Sequence, residues 1–272
     1  MLREIKSFKG KSASDKDAGD INDFLRSVLV EVAAENYRQS MYEAMALASD
    51  SEDKYDLDPP LRANERVMSG LFATAISRVA LRSRTEVRID RPERDSTVDA
   101  LEGDGGEESG SRTKNGRVDF LAWYGNRVIG IELKMANMNC ESPQMGSIAR
   151  RWKTAVDQAK DVQTCLRSRQ QEDSRRYPAP ASIALMVIVG KRNISTKSID
   201  DMVNKDTAEM EERSQKALAA LDPRPTFMAS YTFPSEFRAI SLRRNGREAS
   251  VDGRAMYTPF VWFIAKPAVK SS

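Results

Sequence analysis

The sequence predicts an α/β domain with a mixed central sheet flanked by helices. Three observations carry that expectation. Val118 to Tyr124 and Arg127 to Leu133 are rich in β-branched, aromatic and aliphatic residues, and they flank the two-residue turn signal Gly125-Asn126. Ser182 to Val189 is a continuous apolar run bounded by Pro180 and Gly190, the pattern of a central strand buried on both faces. Between them, Ser147 to about Gln171 repeats Trp152, Ala155, Val156, Ala159, Val162 and Leu166 at helical spacing. A helix crossing from the hairpin to the buried strand makes the sheet mixed.

The remaining elements follow in chain order. Residues 1–20 are rich in Lys, Ser, Asp and Gly with few apolar positions, which predicts a flexible tail. Residues 21–60 hold an amino-terminal helix and a linker: Phe24, Leu25, Val28, Leu29, Val32 and Ala33 recur at helical spacing from Ile21 to about Ala48. A second helix runs from Leu61 to about Arg82, and Glu86 to Asp90 alternates as a short strand. Arg91 to Gly116 is acidic and glycine-rich, and predicts a long mobile loop. The core thus spans 61–190, in the order helix, strand, two-strand hairpin, helix, strand. In 191–272, Ser195 to Leu221 reads as a charged helix, followed by strands at Thr226–Phe233, Phe237–Leu242 and Tyr257–Ala265. These make a strand-rich carboxyl-terminal extension packing on the core.

Composition narrows the chemistry. No apolar run approaches the roughly 18 residues of a membrane span, and no secretory h-region opens the chain, so the expected location is cytoplasmic, away from membranes. Cys140 and Cys165 form no Cys-x-x-Cys pair, which removes zinc-ribbon and redox readings. The chain has no histidine. That excludes Ser-His-Asp and Cys-His machinery, His-x-Glu deaminase sites and histidine zinc sites. A metal would be held by oxygen ligands, which points to magnesium, manganese or calcium. A net charge of +3 permits a polyanionic partner without requiring one.

The hairpin carries the sharpest signal. With Gly125-Asn126 as its turn, Tyr124 faces Arg127 and Asp119 stands opposite Glu132. Opposed like charges in an antiparallel pair are destabilising. Lys134 shares the face of Glu132 by strand alternation. Two carboxylates beside an ammonium, on a strand otherwise made of Val128, Ile129, Ile131 and Leu133, call for a cation. The bland alternative is an exposed hairpin with a surface Glu132–Lys134 ion pair. Glu65 shares a helical stripe with Met68, Phe72, Ala75 and Val79, so it is either a core-facing functional carboxylate or a first-turn residue favoured by the helix dipole. Arg150, Arg151 and Lys153 open the helix after the hairpin and could steer phosphates. Arg238, Arg243, Arg244, Arg247 and Arg254 give the carboxyl-terminal strands a basic character and make a weaker DNA-contact group, and Trp123 and Trp152 read as core aromatics rather than base-stacking platforms.

This element order, with Asp119 on the second strand and Glu132-Leu133-Lys134 on the third, resembles the PD-(D/E)XK nuclease superfamily, the restriction-endonuclease-like proteins. The resemblance covers roughly Leu61 to Gly190, and Val118 stands where the family carries proline. It implies a restriction-endonuclease-like αβββαβ core and Mg²⁺-dependent hydrolysis of phosphodiester bonds, with Mn²⁺ able to substitute. By that resemblance Asp119 and Glu132 would be metal ligands with the Leu133 carbonyl, Glu65 would reach the metal, and Lys134 would contact the attacking water or the scissile phosphate. Gln158 matches a glutamine that in many relatives supports the active site or contacts nucleic acid; the bland alternative is a helix-surface glutamine. The implied partner is nucleic acid, DNA first, and a homodimer would supply the two sites that double-strand cutting needs. Two rival readings are an inactive nuclease fold serving as a binding module, and a regulatory protein docking a partner through Ile21–Ala48.

Overall fold

The computed structural model describes residues 1–6, 15–48, 60–62, 64–90, 115–172, 178–203, 207–241 and 254–268. Residues 91–114 of the expected acidic loop lie outside this set. The strands are β1 (Leu2–Lys6), β2 (Arg82–Asp90), β3 (Asn115–Tyr124), β4 (Arg127–Asn139), β5 (Ala179–Ser195), β6 (Phe227–Thr232), β7 (Ala239–Ser241), β8 (Arg254–Tyr257) and β9 (Phe260–Pro267). The helices are α1 (Asp15–Ala48), α2 (Glu65–Val79), α3 (Gly146–Glu172), α4 (Ile199–Val203) and α5 (Ala208–Ala219). The described strands form one nine-stranded sheet whose main path runs β1-β6-β9-β5-β4-β3-β2. β4 and β5 are parallel, joined by α3, while β3–β4 and β5–β9 are antiparallel. The mixed sheet flanked by helices is as the sequence predicts.

Two helical layers cover the sheet. On one face, Phe24, Leu25 and Val28 of α1 and Met68, Phe72 and Ala75 of α2 pack on Ile129, Ile131, Leu133 and Met135 of β4. The stripe of α1 is therefore buried in the core, not detached as partner docking would need. Glu35 ties α1 to α2: it accepts from Gln39 at 2.9 Å and Arg78 at 2.8 Å, and also from Arg38. On the other face, Trp152, Ala155, Val156 and Ala159 of α3 pack on Ala136 and Met138 of β4 and Ala184 and Met186 of β5. Gly130 permits this approach, because a Cβ there would meet Val162 Cγ1 at 2.6 Å. Among the described residues, no helix is long and apolar enough to cross a membrane.

The structure corrects several boundaries. Leu2–Lys6 is a strand and not part of a flexible tail; it pairs with β6, Leu2 opposite Tyr231. Pairing at a sheet edge is carried by backbone groups, so a polar composition hides it. The helix expected from Ile21 begins at Asp15. The second helix starts at Glu65, not Leu61, because the Asn64 side chain accepts from the N–H groups of Arg66 and Val67, each at 3.1 Å. β2 begins at Arg82, not Glu86, and β3 reaches back to Asn115. The single helix expected over Ser195–Leu221 is divided into a 3₁₀ turn, α4 and α5. The carboxyl-terminal strands are more than an extension: β9 lies between β5 and β6 within the central sheet, apolar and buried from Phe260 to Ala265.

Candidate metal centre

The β3–β4 ladder runs from Tyr124↔Arg127 to Phe120↔Ile131 and stops one pair short of the expected Asp119–Glu132 opposition. Side-chain alternation breaks at the same place. Phe120 and Ala122 face α1 and α2, whereas Val118 and Leu121 both pack in the cluster under α3. Asp119 therefore sits at the turnover between faces. On the neighbouring strand Glu86 has a φ of 48°, between the regular pairs Thr85↔Phe120 and Val87↔Val118. Asp119 does not stand in a regular cross-strand pair with Glu132. Its Oδ2 accepts the backbone N–H of Leu133 at 2.7 Å. A charge-assisted bond to that N–H gives the carboxylate a donor that a regular ladder, with Glu132 opposite, would withhold.

This geometry has a consequence for Leu133. In an antiparallel pair the N–H and C=O of one residue point toward the same neighbouring strand. The Leu133 carbonyl is thus directed to the side of Asp119, beyond the last β3–β4 pair. Glu132 is 2% exposed, and its alternation with Val128, Ala136 and Met138 turns it toward α3. Lys134 lies on that same face and is half-buried.

Gln158 lies on α3, the helix that covers the sheet face toward which Glu132 turns. Arg151 of α3 donates to the Met135 carbonyl at 2.7 Å, while Val162 lies over Gly130. Arg151, Gln158 and Cys165 share one ridge at seven-residue spacing. Gln158 Oε1 is buried with no hydrogen-bond partner. Such orphaned acceptors are rare in folded proteins, and this one fits a site that takes a donor or a hydrated cation.

Glu65 does not face the core. It is exposed at the first position of α2, and the buried stripe begins at Met68. The Asn64 cap fixes this, placing the carboxylate at the positive end of the helix. Glu65 instead lines a cleft of about 570 Å³ at the carboxyl ends of β4 and β5. The cleft is walled by Arg62 and Asn64 before α2, by Met135, Ala136 and Asn137 of β4, by Ser147 and Arg151 of α3, and by Lys191 of β5. Sequence reasoning missed Arg62 and Lys191. The available signal for Lys191 was its place at the carboxyl end of a parallel strand, where open α/β sheets bind ligands.

Arg150 and Lys153 are exposed on the outer side of α3. Trp152 is fully buried and donates to the Pro223 carbonyl at 2.6 Å. Trp123 is only half-buried, with the Arg82 guanidinium 5.3 Å from its ring centre. Arg238 is structural: it donates to the Phe233 carbonyl at 2.9 Å and the Val203 carbonyl at 2.8 Å. Arg243, Arg244 and Arg247 lie outside the described residues, and Arg254 opens β8.

Among the described residues, no group of three or more His, Cys, Asp or Glu could hold a metal ion, so Glu65 does not join Asp119 and Glu132. The donors that remain are two carboxylates and a backbone carbonyl. All are hard oxygen ligands, and their chemistry fits Mg²⁺ or Mn²⁺ retaining part of its water shell. No protein-family model, curated protein or solved structure matches this chain.

Proposed function

We propose that this protein is a metal-dependent nuclease of restriction-endonuclease-like architecture, hydrolysing phosphodiester bonds in nucleic acid, DNA foremost. The element order α2, β2, β3, β4, α3, β5 supports that architecture. The observation that carries the reading is the Asp119 carboxylate held against the peptide that joins Glu132 to Leu133. Asp119, Glu132 and the Leu133 carbonyl would hold Mg²⁺, with Mn²⁺ as a substitute. When bound, the ion lowers the pKa of its water and polarises the phosphoryl oxygen.

The protein's own groups do the rest. Lys134 places a positive charge on the face of Glu132, where it offsets charge developing on the phosphate. Gln158 offers its carbonyl oxygen to the water or to the Lys134 ammonium. Burial under α3 keeps bulk water from competing with these contacts. Arg150 and Lys153, both exposed, steer the polyanion toward α3.

Supercoiled plasmid with Mg²⁺ tests the reading, using the wild type, Asp119→Asn and Lys134→Ala. Cutting by the wild type should fall at least about 100-fold in either variant, as loss of a charge-stabilising group typically does. Equal cutting by all three proteins would overturn it. A second reading, nucleic-acid binding without cleavage, is favoured by one observation: Asp119 already has a structural partner in Leu133. Binding with no hydrolysis of DNA or RNA would select that reading.

A further inference from the structure

We infer that the outward face of α1 is a dimerisation surface, occupied by the same face of a second copy of this chain docked antiparallel about a two-fold axis. The inward stripe of α1 is packed in the core, yet the second half of the helix is apolar on its other side as well. Val30, Ala34, Tyr37, Met41 and Met45 follow one another at helical spacing, so they form one line over about four turns of the outer face. A helix that packs on a core by one face ordinarily turns polar residues to water on the other. Here Val30 is 55% exposed, Tyr37 45% and Met45 66%, with Tyr42, 66% exposed, at their flank.

Size and self-complementarity select the occupant. At those exposures the patch presents on the order of 500 Å² per copy, and the roughly 1,000 Å² that two copies bury is what a specific interface needs. Two-fold pairing of identical surfaces is also the commonest form of assembly. An antiparallel pair centred midway between Ala34 and Tyr37 sets each Tyr37 ring against the small Ala34 of the other copy, and Val30 against Met41. Tyr37 is already held edge-on to Phe237, with ring centres 6.1 Å apart, so it docks with little loss of side-chain freedom. In that register Arg26, Glu31 and Arg38 stand level with Met45, Ser40 and Ala33 of the other copy, so none of them meets its own charge. A parallel pair would place each beside itself. Within one copy the same three charges are paired, Arg26 with Glu4 at 2.6 Å, Glu31 with Arg78 at 3.4 Å and Arg38 with Glu35. They form a polar rim that docking leaves in place. The inference stands apart from the nuclease reading, because none of these residues belongs to the candidate centre.

The test is sedimentation velocity on the full chain from about 1 to about 200 μM, a range that brackets the affinity expected of an interface this small. Wild type should pass from monomer to dimer with a midpoint on the order of 10 μM. Val30→Glu and Met45→Lys put a charge into the stripe at exposed positions, and each should weaken dimerisation about tenfold or more while leaving the helical circular dichroism unchanged. Leu81→Glu, the same kind of change at an exposed residue outside α1, is the control and should match wild type. The double variant Val30→Glu/Met41→Lys faces opposite charges across the axis twice, so it should dimerise more tightly than Val30→Glu alone. Absence of that recovery would overturn the antiparallel register. A wild type that stays monomeric throughout would overturn the second copy as occupant, and its sedimentation with phosphatidylserine-containing vesicles, lost in Val30→Glu, would assign the stripe to a lipid surface instead. Dimers of wild-type affinity in both stripe variants, or an equal loss in Leu81→Glu, would overturn the surface itself.

Discussion

The carboxylate of Asp119 accepts the backbone N–H of Leu133 at 2.7 Å, at the point where the β3–β4 ladder ends. One side chain thus replaces a main-chain partner between the two strands, at the residue whose carbonyl is directed to the same side. Structure and proposed chemistry meet in that single bond, and substitutions at Asp119 can separate them.

Asp119→Asn keeps an acceptor oxygen for Leu133 but removes the charge. Its thermal midpoint should stay close to wild type while Mg²⁺-dependent cleavage is lost. Asp119→Ala should lose both, with a stability decrease of about 1–2 kcal/mol, that of a hydrogen bond to a charged group at a half-buried position. Denaturant unfolding of the two variants side by side measures the difference. Equal stability of the Ala variant and wild type would show that the bond does not hold the hairpin.

Gly130 lets α3 lie directly on β4 beside Glu132. Gly130→Ala should destabilise by about 1–3 kcal/mol, because its Cβ would enter the space of the Val162 side chain, 2.6 Å away. Val162→Ala in the same chain should recover part of that loss. A double-mutant cycle by urea unfolding gives the coupling, and additive effects would contradict the contact.

Glu35 predicts an acid limb. The Gln39 amide, then the Arg78 and Arg38 guanidinium groups, hold its carboxyl below the ordinary value of 4.5. A carboxyl lowered in the folded state contributes stability that is complete above its unfolded value and is lost as pH falls through the folded one. Glu35→Gln should therefore flatten the decline in stability below about pH 4.5. Chemical denaturation at a series of acidic pH values measures that slope, and unchanged pH dependence would exclude Glu35 as its source.

Cys140 is fully buried, and burial pushes its thiol up to about 11. At pH 8 that leaves on the order of one thiolate in a thousand. Native protein should thus leave Cys140 unmodified by a disulfide reagent over the time in which unfolded protein reacts at both thiols. Mapping the modified peptides by mass spectrometry reads this directly; rapid native labelling of Cys140 would show that the β4–α3 turn opens.

Much of the fold was legible because it is written in apolar periodicity. The run from Ile183 to Val189 is buried on both faces, and α3 presents the stripe from Trp152 to Leu166 that its spacing implies. Leu2–Lys6 was not legible, since its pairing to β6 is made by backbone groups that composition does not reveal. The site was legible as residues but not as geometry. A regular hairpin register places Asp119 opposite Glu132, yet Val118 and Glu86 depart from regular alternation, and no local residue pattern announces that departure. Of the two readings of Glu65 the first-turn one holds, because helical periodicity fixes a face, whereas the Asn64 cap decides where the helix begins. The cleft was invisible because the residues that line it, Arg62, Arg151 and Lys191 among them, are far apart in the chain.

The most direct test of the metal centre is an anomalous difference map from crystals of the full chain soaked in Mn²⁺. A peak within about 2.5 Å of oxygens from both Asp119 and Glu132, absent in Glu132→Gln crystals, is the expected result for hard-cation coordination. A fully occupied ion elsewhere, or carboxylates of Asp119 and Glu132 that share no density at saturating Mn²⁺, would contradict it.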